Sequence, residues 1–221
     1  MPITMKYRYI AYTMILLLAA LTQSHLYAAP YLQKTLAEEF TNKFDDFGTA
    51  VSSSNNFVIV GSPGKPNDSG EACVFQRVQA TWGLNACPAP VPLNTMPLHQ
   101  IGRAVSISGN TAAVTATYKL NGSAGAVYLF ERQGDKWVQT QELISPESVV
   151  NDDFGGSLSL SGDFLAIGSQ GGASSEGAVY VYKREALSWI LSIKIVSDSG
   201  VKSKRFGTAV ALSGNYLIIG D

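Results

Sequence analysis

The chain has 221 residues, 46% of them hydrophobic and 15% charged, with a formal net charge of −1. That composition excludes a disordered chain and suffices for one large β domain or two small ones. With Lys202, Lys204 and Arg205 as the one basic run, it gives no footing for nucleic acid, whose binding rests on neutralising phosphates.

The N-terminus carries Lys6 and Arg8, an apolar run from Ile10 to Leu21, then Gln23, Ser24 and the small residues Ala28 and Ala29. This three-part layout predicts a secretory signal peptide over residues 1–28. The apolar run is shorter than the roughly twenty residues that span a bilayer as a helix, so no membrane span is expected after cleavage. Cleavage is expected between Ala28 and Ala29, because a cut after Ala29 would place Pro30 directly behind the scissile bond. The exported product is expected to be secreted or periplasmic and to carry a modest excess of acid.

From residue 47 onward the chain repeats itself. Phe47-Gly48, Ile101-Gly102, Phe154-Gly155 and Phe206-Gly207 recur at spacings of 54, 53 and 52 residues, and each opens a sixteen-residue stretch that aligns without a gap. A period near fifty marks repeated supersecondary units. Within each stretch, Ala104, Ser106 and Ser108 alternating with Val105 and Ile107 exemplify the period of two of a half-buried strand. A second strand follows through the turn pairs Gly109-Asn110, Gly162-Asp163 and Gly214-Asn215, with Ser54-Asn55 read as the turn of the first unit. A third strand starts at Gly70, Gly125 and Gly177 and ends in arginine, and a fourth opens at Trp82, Trp137 and Trp189.

Four short antiparallel strands in about fifty residues make one β-propeller blade, a small sheet that must stack on its neighbours. The expected fold is therefore all-β: three complete units at 47–100, 101–153 and 154–205, and a partial fourth at 206–221. Residues 31–37 fall where a fourth strand belongs, before any first strand, which predicts a circularly offset arrangement. The sequence stops at Asp221 after two strands of its fourth unit. That favours the front part of a longer, truncated propeller over a compact four-bladed ring, because a missing third strand would leave ladder groups unpaired. The open blade is also a place for self-association.

The pattern Phe-Gly-x-x-Val-x-[Leu/Ile]-Ser-Gly-[Asp/Asn], then apolar-Ile-Gly, then Gly-Ala-Val-Tyr-[Leu/Val]-[Phe/Tyr], then tryptophan, resembles the FG-GAP repeats of integrin α-subunit propellers, and most of all their shorter variant in secreted bacterial proteins. The resemblance covers residues 31–221, so 29–221 is read as the propeller region. It implies extracellular adhesion or recognition of a protein or glycan ligand. It departs from the integrin pattern in two ways. The connection between the first two strands, where integrin-type blades often bind calcium, is here two residues long, too short for the six to eight oxygens Ca²⁺ takes. The "GAP" segment survives partly in Gly61-Ser62-Pro63 and not in Thr115-Ala116-Thr117 or Gly168-Ser169-Gln170.

Candidate chemistry is sparse. Asp45, Asp46, Asp152 and Asp153 precede two of the markers and are the candidate cation ligands, but the matching positions elsewhere are His99/Gln100 and Lys204/Arg205, so solvated turns are expected and no metal or cofactor. Asp46-Phe47-Gly48 and Asp153-Phe154-Gly155 spell a kinase triplet without the glycine loop or catalytic loop of a kinase. After signal cleavage His99 is the one histidine, which is too few for a His-rich zinc site and has no partners for Ser-His-Asp chemistry. No catalytic constellation is readable; the alternatives to a binding scaffold are a propeller-type hydrolase or lyase using surface carboxylates, and a fragment without independent function. Cys73 on the third strand and Cys87 on the fourth fall one residue from direct opposition, close enough for a cross-strand disulfide in an oxidising compartment. Tyr128, Phe130, Tyr180, Tyr182 and the tryptophans occupy identical repeat positions, which points to packing between units rather than a carbohydrate platform.

Overall fold

Alternating apolar and small polar residues, broken every few positions by a turn pair, leave the chain one regular option, a run of short strands. The computed structural model describes residues 45–64, 69–79, 81–88, 100–117, 125–147, 152–171, 177–197 and 205–220, all within a unit running from Ala37 to Asp221. The signal peptide, its Ala28/Ala29 cleavage point, strand 31–37 and His99 lie outside these residues. Among the described residues every regular element is a strand, and no helix is long and apolar enough to cross a membrane.

The first sheet comprises β1 (Ala50–Ser54), β2 (Phe57–Ser62), β3 (Glu71–Val78) and β4 (Thr81–Ala86). The second comprises β5 (Val105–Ser108), β6 (Thr111–Ala116), β7 (Ala126–Gln133) and β8 (Lys136–Ile144). The third comprises β9 (Phe154–Ser161), β10 (Phe164–Ser169), β11 (Ala178–Glu185) and β12 (Ser188–Val196), and the last pair is β13 (Ala209–Ser213) with β14 (Tyr216–Gly220). Each sheet is antiparallel with its strands in chain order, and β13–β14 is a two-stranded sheet. The structure thus has the three four-stranded blades and the partial fourth expected from the repeat. In the first unit the β1–β2 turn is Asn55-Asn56, one residue later than the sequence reading placed it; Asn55 takes the positive φ of 54° that Gly109, Gly162 and Gly214 take in the other hairpins.

Each outer hairpin carries a β-bulge, between Val74 and Phe75, Leu129 and Phe130, and Val181 and Tyr182. The bulge shifts the register by one: Arg132 faces Trp137, and Tyr128 lies opposite Glu142 because Thr140 is the extra residue. In the first sheet the same device sets Val74 opposite Ala86, so that the next positions outward are Cys73 and Cys87, and these two are disulfide-bonded.

Packing runs from sheet to sheet. One core holds Phe57, Ile59, Ala72 and Val74 of the first sheet against Val105, Ile107, Val114, Tyr128, Phe130 and Trp137 of the second. The next holds Val127, Leu129 and Leu143 against Phe154, Leu165, Ile167, Tyr180, Tyr182 and Trp189 of the third. The repeated aromatics lie in these inter-blade cores: the Trp137 ring meets Phe57 of the preceding sheet edge-on at 5.8 Å, and within the third sheet Phe154 meets Tyr180 at 5.5 Å.

Candidate functional site: the marker rim and the joints behind it

Among the described residues, six connections at one end of the sheets, such as Asn55-Asn56, Gly134-Asp135 and Ala186-Leu187, are two-residue turns. At the other end, where the markers lie, consecutive strands are separated by longer intervals of sequence, as between Ala116 and Ala126 or between Ser169 and Ala178. The connections that differ in length from unit to unit therefore start and end on the marker rim.

The rim is anchored by backbone geometry. The residue before the marker is left-handed in three units, with φ of 53° at Asp46, 46° at Gln100 and 49° at Asp153. Such values are uncommon outside glycine and enriched in Asp and Asn, so conformation accounts for an acid here without any ligand. The marker glycines follow with φ near 90°, as at Gly102 and Gly207. Marker glycine and strand glycine also touch across the joint: a Cβ on Gly168 would lie 2.1 Å from the Gly207 carbonyl oxygen. Only a residue without a side chain permits this approach.

The acids one position earlier are not solvated, which corrects the sequence reading. Asp45 is 3% exposed and Asp152 8%. The Asp45 carbonyl accepts from Ser62 Oγ (2.7 Å) and from the Gly64 amide (3.1 Å). Around Asp152 the carboxylate itself is held: Ser145 Oγ donates to Oδ2 at 2.5 Å and Ser169 Oγ to Oδ1 at 2.6 Å, while the main-chain oxygen accepts from Gly171. These acids close the crossover of their own units, a role the serines Ser62 and Ser169 make visible only in the structure. Asp153 points elsewhere, to Arg103 Nη1 beside the preceding marker at 3.1 Å. Burial raises its pKa above the usual carboxylate value, with Arg103 pulling against that and Asp152 adding to it. Asp46 is exposed, and its carbonyl accepts from Thr49.

The four candidate acids are not gathered into a cation site. Among the described residues, three donors of metal-binding type come together at Glu71, Cys73 and Cys87. The two sulfurs there are joined to each other, so neither is a thiolate ligand.

Behind the rim, each joint between units is built from the same parts. Ser52, Ser106 and Ser159 accept hydrogen bonds from the amides of Ile107, Leu160 and Leu212 (3.1, 2.9 and 2.8 Å). Ser54, Ser108 and Ser161 do the same for Gly109, Gly162 and Gly214. Small hydroxyls on the inner strand thus cap the free amide edge of the next inner strand, a function their alternation pattern did not disclose. The arginines that end the third strands reach back one unit: Arg132 lies 4.9 Å over the Phe57 ring, and Arg184 pairs with Glu131 at 3.1 Å. Farther out, Gln141 exchanges two hydrogen bonds with the backbone of Trp189.

Residues 137–182 match the family model described as FG-GAP repeat. The chain carries an FG-GAP repeat. The FG-GAP match begins at Trp137 on β8 and ends at Tyr182 on β11, so it takes one sheet's outer strand together with three strands of the next, crossing the joint closed by Ser145, Asp152 and Ser169. None of the curated proteins compared matches this chain.

Proposed function

We propose that this protein is an exported binding scaffold, secreted or periplasmic, whose marker-rim crossovers meet a protein or glycan ligand. The observation that carries the reading is the asymmetry of the two ends: among the described residues, two-residue turns at one, and at the other strand ends separated by long intervals of sequence. Recognition loops are commonly displayed this way, on segments free to vary above a rigid frame. The FG-GAP repeat supports a binding role. The Cys73–Cys87 bridge fits an oxidising compartment. The carboxylate of Asp152, held by Ser145 and Ser169, supports binding rather than hydrolysis at that position of the rim.

The test immobilises the full chain and exposes it to cell-wall polysaccharide and to extracts of surface proteins, beside a variant in which residues 118–124 are replaced by a Gly-Ser segment of equal length. The expected result is retention of a defined protein or glycan that the variant loses. No retention from either material, or equal retention by the variant, contradicts a ligand site on that rim.

A further inference from the structure

The first unit departs from the repeat at one spot. Its third strand opens Gly70-Glu71-Ala72-Cys73 where the next two units read Gly125-Ala126-Val127-Tyr128 and Gly177-Ala178-Val179-Tyr180. Glu71 thus stands in the place of the buried alanines Ala126 and Ala178, and Cys73 in that of Tyr128 and Tyr180. Five residues past Trp82, Cys87 takes the place of Glu142 and Lys194, the cross-strand partners of those tyrosines. The three departures converge: a carboxylate oxygen of Glu71 and the two sulfurs all lie within 4.8 Å of one another. A disulfide accounts for the cysteines, but not for a carboxylate in an alanine's place.

The strand ladder places these donors independently of the bridge. Alternation along β3 sets Glu71 and Cys73 on one face, with Ala72 and Val74 turned to the core shared with the second sheet. On β2, Ser62 lies opposite Glu71 and Val60 opposite Cys73, while Gly70 bridges Ile101 of the next unit. On the other side, the pair Val74 and Ala86 leaves Cys87 as the next residue beside Cys73. Cys73 is 1% exposed, and Glu71 and Cys87 are half-buried. Two sulfurs and a carboxylate suit Zn²⁺, which takes thiolate and carboxylate ligands in a tetrahedral array, and not Ca²⁺ or Mg²⁺, which take oxygen. Ligand atoms around such an ion stand roughly 3.6–3.8 Å apart, inside the span that these donors occupy.

We propose that Glu71, Cys73 and Cys87 form a zinc site in the chain whose bridge is open, two thiolates and one carboxylate with the fourth position left to water. A dithiol opens the bridge by thiol–disulfide exchange, two electrons and two protons passing to the protein's sulfurs as the dithiol closes to its own disulfide. Zn²⁺ then takes the sulfurs as thiolates, and the two thiol protons go to solvent. Bridge and ion exclude each other, so the same two cysteines either staple the hairpin or hold the metal. The site does not rest on the ligand proposed for the rim.

The experiment reduces the full chain with a phosphine, removes the reagent under nitrogen, and titrates the protein with Co²⁺, a coloured stand-in for Zn²⁺. The expected result is a cobalt–thiolate charge-transfer band that saturates at one equivalent, is erased by Zn²⁺ and is absent from the oxidised chain. Glu71→Ala, which restores the residue of the other units, should weaken cobalt binding at least about tenfold, the loss that removal of even an outer partner brings. Glu71→Gln is the second variant should that one fail to fold. If reduction itself unfolds the chain, refolding with one equivalent of Zn²⁺, read by circular dichroism, is the expected result, and a chain that stays unfolded overturns the proposal. So does a reduced, folded chain without the band, or a Glu71 variant that binds as tightly as the native chain.

Discussion

Ser106 Oγ accepts a 2.9 Å hydrogen bond from the amide of Leu160, fifty-four residues further along the chain and one sheet away. The amide belongs to the inner edge of β9, which no strand of its own sheet covers. The hydroxyl thus satisfies a backbone donor that stacking would otherwise bury unpaired. Ser106→Ala should therefore cost about 1–3 kcal/mol, the penalty of a buried unsatisfied donor. Ala211 holds the equivalent place in the fourth unit and is exposed, so Ala211→Ser should change stability by less than about 0.5 kcal/mol. Urea unfolding of the two variants measures both; equal effects would show that the hydroxyl is incidental.

Gly168 makes a steric version of the same point. Its φ is not in the left-handed region, so the demand for glycine comes from the Gly207 carbonyl 2.1 Å from where a Cβ would sit. Gly168→Ala should destabilise the chain by about 1–3 kcal/mol or more, as overpacking does. Gly162→Ala meets nothing within 4 Å and should show only the smaller strain of its positive φ.

Asp153 should give the stability a pH dependence of unusual sign for an aspartate. Burial holds its folded pKa above the ordinary value despite Arg103. The folded chain then binds this proton more tightly than the unfolded one. The contribution is present in full below the unfolded pKa and declines as pH rises through the folded one. Asp153→Asn removes the titration, and asparagine tolerates the φ of 49°. The variant should match the native chain at low pH and gain on it as pH rises toward neutrality in parallel urea titrations. A variant that loses ground over that interval would show the Arg103 ion pair to be dominant.

At the alkaline end, Tyr180 and Tyr182 are pushed up to about 12, chiefly by burial in the joint between the second and third sheets. Their protonated forms favour the folded state, so that stabilisation is complete below about pH 10 and drains away toward pH 12. Absorbance titration should show these two phenols ionising together with unfolding, and Tyr180→Phe should reduce the steepness of the alkaline transition. Ionisation of both near pH 10 in a folded chain would contradict the packing described.

The Cys73–Cys87 bridge closes a loop of fifteen residues, worth about 3 kcal/mol on the chain-entropy scale. Replacing both cysteines by serine should lower the unfolding free energy by about that amount. The native chain should resist alkylation until it is reduced; ready alkylation of both thiols would contradict the bridge.

Most of the strand plan was legible because glycine and turn pairs recur at fixed offsets, and Phe47-Gly48 through Phe206-Gly207 set the frame for everything after them. Less was legible at the rim. Asp152 reads as a polar loop residue until Ser145 and Ser169, seven residues before it and seventeen after, are seen to converge on its carboxylate. Asp153 and Gln100 read as hydrophilic when their left-handed φ is what selects them. The bulge at Thr140 carries no residue signal of its own, so a register of one residue was lost with it. In each case the deciding partner lies outside the local window.

The joint between units is what stacks the blades, and native-state hydrogen exchange reads it at three equivalent amides. Ile107, Leu160 and Leu212 each lie on the inner edge of a sheet, where an unstacked blade would leave them to water. If the blades stack through Ser52, Ser106 and Ser159, these amides exchange at rates close to those of ladder amides such as Ile167 and Val179. Exchange at the speed of an open strand edge, with the ladders intact, would contradict the joint and the stacked architecture with it.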